Sequence, residues 1–313
     1  MTSRSIPSAR WSGALLFLVL SVLLSGCATT PPLSEKTRAS VPERHVIEEV
    51  PFHGQRDYQC GPATLAMVLA HGGRPASVDE LIPKVFLPGR EGSVQPEMLA
   101  TVRRHGLIPF VIPGMMDAVL QEVGAGHPVA VLQNLSLSWL PVWHYAVVIG
   151  YDLGEESLVL HSGETPRMTV EMGRFDATWA RSERWGFVAL APGDLPASPV
   201  GRRSAKAISA FESVQGVEAA LPAWRALAER APELALASFG LGNALAATGD
   251  AAGAVRAFRR AAESDPEFAA AWLNLGLVLR SLGRTEEAGR ALRRAAAIED
   301  PLQSRARSAL DSL

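Results

Sequence analysis

The chain has 313 residues, enough for two ordinary domains, and 48% of them are hydrophobic, so a sizeable core can form. The formal net charge is −2 with Lys and Arg spread along the chain, which argues against a nucleic-acid surface. The histidines show no ligand-like spacing with each other or with carboxylates, and the sequence has no glycine-rich phosphate loop. We therefore expect neither a metal site nor a cofactor.

The first 26 residues have the layout of an export signal. A basic start precedes an apolar run over residues 14–24, which is too short to span a membrane as a stable helix. Residues 24–27, Leu-Ser-Gly-Cys, resemble a bacterial lipobox, which implies cleavage before Cys27 and lipid attachment to its sulfur. Because Ala28 rather than Asp follows, we expect an outer-membrane lipoprotein facing the periplasm. The alternative is an ordinary secreted protein with a chance cysteine.

The next segment predicts a flexible tether followed by an α+β domain. Residues 27–45 are rich in Pro, Ser and Thr, a composition typical of linkers. Helices come first and an antiparallel sheet follows, which predicts an α+β domain over residues 46–192. In chain order we expect a strand over 46–52, helices from Cys60 to Gly72, from the Ser77 capping box and over 96–105, a strand over 110–112, a helix over 116–123, and strands over 128–132, 143–152, 158–161, 167–170 and 185–190.

Cys60 stands at the predicted start of a helix. Pro62 suits the first helical turn, residues 65–69 form an apolar body, and Gly72 ends it. The dipole and free N–H groups at a helix start stabilise a thiolate, so we expect Cys60 to have a depressed pKa. The alternative is a small buried core residue. If Cys27 carries lipid, Cys60 has no disulfide partner, and an unpaired thiol in an oxidising compartment favours a chemical role.

Two further residues complete a candidate catalytic set. Gln55, just upstream of Cys60, is a side-chain amide that suits an oxyanion hole. His144 lies at the start of the apolar strand predicted over residues 143–152. A cysteine followed by a distant histidine is the arrangement expected of a cysteine nucleophile and its base.

These residues also carry a family resemblance. The stretch from Gln55 to Cys60-Gly61-Pro62, the His144 strand and their order resemble the papain-like cysteine peptidases that remove double-glycine leaders from bacteriocin precursors, and especially their stand-alone relatives. The resemblance covers roughly residues 46–192. It implies a papain-like fold with Cys60 as nucleophile, His144 as general base and Gln55 as oxyanion donor.

The third catalytic position stays open. The resembled family usually has an Asp, in an Asp-Pro pair, on the strand after the histidine strand, whereas this chain has Ser-Leu-Val-Leu-His-Ser-Gly over residues 157–163. Asp152, His161 and Ser162 remain candidates for orienting His144. The sequence also favours a neutral group or a water molecule over a dedicated carboxylate in this role.

The C-terminal part shows an internal repeat. Residues 193–203 have a linker composition, and beyond them seven residue pairs share an offset of 34, among them Gly242 with Gly276 and Phe258 with Leu292. This pattern resembles tetratricopeptide repeats, so we expect an all-α domain over residues 204–313, with a degenerate first unit. The resemblance places the first helix of each unit on a concave partner-binding face that would include Phe239, Asn243, Leu273, Leu277 and Arg280.

The leading hypothesis is a lipid-anchored periplasmic cysteine peptidase whose repeats bind a substrate or a protein partner. A second hypothesis is a non-catalytic scaffold that binds peptides. A third hypothesis is an enzyme with a different reaction, namely amide hydrolysis or acyl transfer on envelope components. In each case the expected partners are a peptide or protein, and the membrane through the lipid anchor.

Overall fold

The computed structural model describes residues 31–54, 59–87, 89 and 92–313 of the protein. The predicted signal segment, Cys27 and Gln55 lie outside the described residues. Among the helices described, none combines the length and apolar character needed to cross a membrane.

The N-terminal domain mixes helices and strands. In chain order these are α1 (Glu35–Ser40), β1 (Arg44–Val46), α2 (Cys60–His71), α3 (Val78–Val85), β2 (Phe86–Leu87), β3 (Gly92–Ser93), α4 (Gln95–Arg104), β4 (Ile108–Val111), α5 (Met116–Gly124), β5 (Val129–Asn134), β6 (Trp143–Asp152), β7 (Ser157–Ser162), β8 (Thr165–Glu171), α6 (Met172–Ala180) and β9 (Gly186–Leu190).

The remainder is helical. It consists of α7 (Arg202–Gln215), α8 (Val217–Arg230), α9 (Ala235–Ala247), α10 (Ala251–Ser264), α11 (Ala269–Ser281), α12 (Thr285–Ala297) and α13 (Gln303–Asp311). The observed layout is the predicted one, an α+β domain followed by an all-α domain.

A seven-stranded antiparallel sheet organises the N-terminal domain, and β2 and β3 form a separate two-stranded sheet. The strands of the larger sheet follow the order β4-β9-β5-β6-β7-β8, and β1 pairs with the end of β6. Because neighbouring strands run in opposite directions, the ends of β4, β5 and β7 meet the starts of β9, β6 and β8 at one edge. We call this the upper edge of the sheet. It carries the loops over residues 112–115, 135–142, 163–164 and 181–185.

The helix α2 supplies much of the core. Every residue from Gly61 to Leu69 is buried, and α2 packs against β5 and β6. Burying a Leu or Met side chain of this kind contributes about 1.5–3 kcal/mol. This packing fixes the start of α2 at the upper edge, because its other end, His71, contacts the carbonyl of Gly126 at the opposite edge (3.0 Å).

Part of the predicted tether is ordered. Ser34 caps α1, and its N–H donates to the carboxylate of Asp117 at the start of α5 (3.0 Å), while the fully buried Thr37 accepts from Gln121. The prediction of a flexible tether over residues 27–45 is therefore wrong from Ser34 onward, because a capped turn docked on α5 outweighs the linker-like composition. The strand predicted over residues 46–52 is also misplaced: the observed strand, β1, is shorter and begins earlier, at Arg44.

The repeat has a clear packing basis. A Cβ at Gly242 would lie 2.6 Å from the ring of Phe258, and a Cβ at Gly276 would lie 2.6 Å from the Leu292 side chain. Glycine therefore lets α9 approach α10, and α11 approach α12, at positions 34 residues apart. The degenerate first unit is the pair α7 and α8, which are separated at Gly216.

The segment between the two domains is packed rather than free. The fully buried carboxylate of Glu122 on α5 accepts hydrogen bonds from the N–H groups of Ala197 and Ser198 (3.0 and 2.9 Å) and contacts the His127 ring (2.8 Å). Beyond it, α7 packs against β4 and α4 through the buried side chains of Ile208 and Phe211. The predicted linker over 193–203 is thus held by a buried charge, which its Pro and Gly content did not reveal.

We predict that Glu122→Gln lowers the free energy of unfolding at neutral pH by about 3 kcal/mol, because the amide cannot accept all of these hydrogen bonds. Burial opposes ionisation of Glu122, but the bonds from His127, Ser198 and Ala197 hold its pKa below the usual 4.5. The stabilisation should therefore be complete above pH 4.5 and disappear as the pH falls through the lower folded pKa. Denaturant unfolding measured across this pH range tests both statements.

The matched control is Glu233→Gln, which changes an exposed carboxylate in the turn before α9. It should stay within about 0.5 kcal/mol of the unaltered chain. A Glu122→Gln effect as small as that of the control would contradict the proposed role of Glu122 in joining the domains.

Candidate active site

Cys60 is the first residue of α2, and its side chain is half-buried at the upper edge of the sheet. The following residue, Gly61, lies against β3: a Cβ there would be 2.2 Å from Oγ of Ser93. A glycine is therefore needed after the cysteine for the helix start to approach β3. Within the described residues Cys60 is a free thiol.

Cys60 and His144 line the same cavity. Its volume is about 1370 Å³, and it is open to solvent. His144 is the second residue of β6, so the strand pairing with β5 and β7 fixes it at the upper edge. The structure thus brings together two residues that are 84 positions apart in the chain. The cavity walls also include Ser93, Gln95, Trp143, Tyr145, Arg181, Arg184 and Trp185.

The His144 ring is oriented by Ser162. Its Nε2 atom lies 2.8 Å from Oγ of Ser162, the last residue of β7, which is 9% exposed. No described residue forms a hydrogen bond with the other ring nitrogen, Nδ1. When Nε2 carries the proton and donates it to Ser162, Nδ1 has the free lone pair that a general base requires.

The other two candidates for the third catalytic position, Asp152 and His161, bind other partners. Asp152 ends β6, eight residues or about 26 Å along the strand from His144. It forms a salt bridge with Arg44 and accepts hydrogen bonds from the N–H groups of Gly154 and Glu155. His161 is 3% exposed; its Nε2 contacts the carbonyl of Val50, and its Nδ1 accepts from the N–H of Arg167. Neither of them orients His144.

Burial controls the ionisation of both site residues. It raises the pKa of the Cys60 thiol, although hydrogen bonds from the backbone N–H groups of Tyr145, Gly61 and Cys60 itself oppose this. Burial also lowers the pKa of His144. Both shifts favour the uncharged forms, a thiol and an imidazole. The expected depression of the Cys60 pKa by the helix start is wrong, because desolvation of the thiolate outweighs it.

Sequence reasoning missed the part played by Tyr145. Its backbone N–H points at the Cys60 sulfur, and its hydroxyl donates to the carbonyl of Ser93 (3.3 Å). Tyr145 therefore ties β6 and β3 to the start of α2. Its position directly after His144 was visible in the sequence, but the direction of a backbone N–H depends on strand pairing that sequence alone does not give.

The predicted partner-binding residues divide into two groups. Leu273 is 1% exposed and belongs to the core of the array, whereas Phe239 is only partly buried, with its ring against those of Phe258 and Phe268. The expectation that Leu273 contacts a partner is wrong, because it fills the contact between α11 and its neighbours. Like Phe239, the remaining three residues retain exposed surface: Asn243, which accepts a hydrogen bond from Asn274 (2.9 Å), Leu277, and Arg280, which donates to Ser312 (2.7 Å).

In the part of the chain that the structure describes, no cluster of three His, Cys, Asp or Glu residues could hold a metal ion. The chemistry available at this site is that of a thiol, an imidazole and backbone N–H groups. These groups suit attack on a carbonyl carbon with proton transfer through the ring.

Comparisons with known proteins match both halves of the chain. Residues 47–186 match the model of the Peptidase_C39 like family, and residues 204–266 and 248–304 match a tetratricopeptide repeat model. The predicted combination of domains is thereby confirmed. The comparison with curated proteins gave no match.

Three solved structures are similar to parts of this chain. A C39-like peptidase from Bacillus anthracis is 16% identical, with 48% of this chain and 98% of that chain covered and a TM-score of 0.40. The peptidase domain of the Streptococcus transporter ComA is 18% identical, with 46% and 99% covered and a TM-score of 0.38. MamA is 23% identical, with 34% of this chain covered and a TM-score of 0.32; the chain spans 63% of its length.

We predict that Ser162→Ala slows acylation of Cys60 by an activated peptide ester about tenfold, because His144 loses the hydrogen bond that orients it. Ser162→Thr keeps the hydroxyl and should recover most of the rate. The matched control is Asp152→Asn, which changes a carboxylate far from the cavity and should leave the rate unaltered. A loss with Asp152→Asn larger than that with Ser162→Ala would instead make Asp152 the orienting residue.

Proposed function

We propose that this chain, a C39-like peptidase domain joined to tetratricopeptide repeats, is a cysteine peptidase of the bacterial envelope. Cys60 is its nucleophile and His144 its general base, with Ser162 positioning the ring. The observation that carries the proposal is the shared cavity: Cys60, at the start of α2, and His144, at the start of β6, both line it, and His144 is held by a buried hydroxyl.

The neutral resting pair sets the course of the reaction. The Cys60 proton passes to Nδ1 of His144 as the sulfur attacks the peptide carbonyl, so a bond forms between Sγ and the carbonyl carbon. The resulting imidazolium then protonates the leaving amine, and the carbon–nitrogen bond breaks. Water adds to the thioester with His144 again as base, which releases the acid and restores the thiol.

The oxyanion formed at each step needs hydrogen-bond donors. We assign the first donor to the backbone N–H of Cys60, which lies at the helix start. We assign the second donor to Gln55, on the strength of its position upstream of Cys60 in the sequence. This pair provides one backbone and one side-chain donor.

The repeats supply binding rather than chemistry. Asn243 on α9 and Asn274 on α11 form a hydrogen bond between successive units, and Leu277 and Arg280 follow along α11. This surface is mixed polar and apolar, which suits an extended peptide or a partner helix. The packing of α7 on β4 gives the repeats a defined orientation relative to the cavity.

Lipid attachment at Cys27 is part of the proposal. The residues before it have the composition of an export signal, and the lipobox resemblance supports cleavage and acylation at this position. An unpaired Cys60 is consistent with a periplasmic enzyme whose thiol is kept for catalysis. The anchor would restrict the enzyme to substrates in the envelope.

A second function, that of a peptide-binding scaffold, is favoured by two observations. The thiol pKa of Cys60 is raised rather than lowered, and the group that orients His144 is a hydroxyl, which stabilises an imidazolium less than a carboxylate does. A scaffold would keep the cavity but form no covalent intermediate.

Covalent labelling separates the enzyme from the scaffold. We predict that a peptide acyloxymethyl ketone modifies Cys60 in the full chain, with release of its carboxylate leaving group, and that His144→Ala slows this at least about 100-fold. The control is His105→Ala, which removes a histidine that bonds the Thr101 carbonyl at the end of α4 and should not change the rate. Mass spectrometry of the Cys60 peptide measures the outcome.

An unmodified Cys60 in folded protein would favour the scaffold. Equal rates for the two histidine variants would remove His144 from the mechanism. Thermal unfolding of each variant shows whether a slow rate reflects chemistry or loss of the fold.

A further inference from the structure

The loop between β5 and β6 exposes an unusual amount of apolar surface. Trp139 is 77% exposed, and Leu135, Leu137, Leu140, Val142 and Trp143 are each about half exposed. The sequence from 132 to 143 contains no charged residue. Scattered exposed apolar residues are ordinary, but six within nine positions mark an interaction surface.

Hydrogen bonds within this loop stabilise its conformation. The side chain of Asn134, 1% exposed, accepts from the N–H groups of Ser136 and Val142 (both 3.0 Å) and donates to the carbonyl of Leu137 (3.3 Å). Leu135 and Val142 also pair through their backbone (2.9 Å). The loop therefore satisfies much of its own backbone and presents mainly side chains, which disfavours a partner that adds a strand.

The tip of the loop lies beside the cavity without forming its wall. Pro141, Val142 and Trp143 line the cavity, whereas Leu137, Trp139 and Leu140 do not. A peptide bound in the cavity would thus contact the base of the loop and leave the tip uncovered. The tip requires another occupant.

The topology places this tip on the side where the chain enters the domain. The loop belongs to the upper edge of the sheet, and so does the start of α5, where Asp117 holds Ser34. The exposed Met115 lies one residue before α5. Ser34 is seven positions after Cys27, so a lipid on Cys27 is at most about 25 Å of extended chain away from the upper edge.

We propose that the tip of this loop, Leu137 to Leu140, inserts into the membrane interface and holds the cavity at the bilayer surface. Trp and Leu side chains without charges suit the boundary between lipid headgroups and acyl chains, where a self-satisfied backbone is required. The substrate class is then a polypeptide segment that lies on, or emerges from, the membrane. This inference uses the lipid anchor of the proposed function to orient the domain.

Depth measurement with a fluorescent probe tests the insertion. The full mature chain carrying Cys60→Ala and Trp139→Cys is labelled with a nitrobenzoxadiazole dye and reconstituted in phosphatidylcholine vesicles. The probe should shift to shorter wavelength and lose its accessibility to dithionite. A matched probe at Glu155, exposed in the turn at the opposite edge of the sheet, should remain accessible. Adding Leu140→Ser to the first protein should restore accessibility at position 139.

Equal accessibility at positions 139 and 155 would overturn the proposal. So would protection at position 139 that appears only with an added protein or peptide, since the occupant would then be a partner rather than lipid. The mass of the N-terminal peptide reports lipidation of Cys27 independently. If Cys27 carries no lipid but the probe at position 139 is inserted, the anchor is refuted and the membrane contact of the loop stands. If Cys27 carries lipid but the probe stays accessible, the membrane contact of the loop is refuted and the anchor stands.

Discussion

The burial of the α2 start against the sheet is the constraint on which the site depends. It places Cys60 between β3 and β6, and the same exclusion of water favours the neutral forms of the thiol and of the His144 ring. A thiolate–imidazolium pair would need compensation that a single hydroxyl, Ser162, provides only in part. The proposed proton transfer therefore accompanies attack on the substrate instead of preceding it.

The upper edge of the sheet carries both the candidate active site and the surface that we propose contacts the membrane. The cavity, the apolar loop and the entry of the chain at Ser34 all lie there, because antiparallel pairing brings alternate strand ends to one side. A short connection to Cys27 and an uncharged Trp-containing loop would then turn the cavity towards the bilayer. The first repeat helix, α7, packs along β4 and α4, and its Arg203 lines the cavity at this edge.

Local pattern predicted much of the fold, and it singled out Cys60 and His144, which the fold brings to one cavity. The proline, the apolar run and the glycines around Cys60 marked a helix start, and the strand after His144 was visible as an apolar run. Ser162 stayed one of three candidates, because choosing among them requires the pairing of β6 with β7. The direction of the Cys60 pKa was predicted wrongly, because burial depends on contacts with β3 and β6 that are distant in sequence. The buried Glu122 was missed for the same reason. Gln55 remains a prediction.

The central claim is that a desolvated, neutral Cys60–His144 pair carries the reaction, and the pH dependence of Cys60 alkylation tests it most directly. Iodoacetamide modification of the Cys60 peptide in the full chain, followed by mass spectrometry, measures thiolate formation. The account predicts a midpoint above the ordinary thiol value of about 8.5, because burial disfavours the thiolate. A midpoint below pH 7 that His144→Ala moves upward would show a resting ion pair and contradict the account.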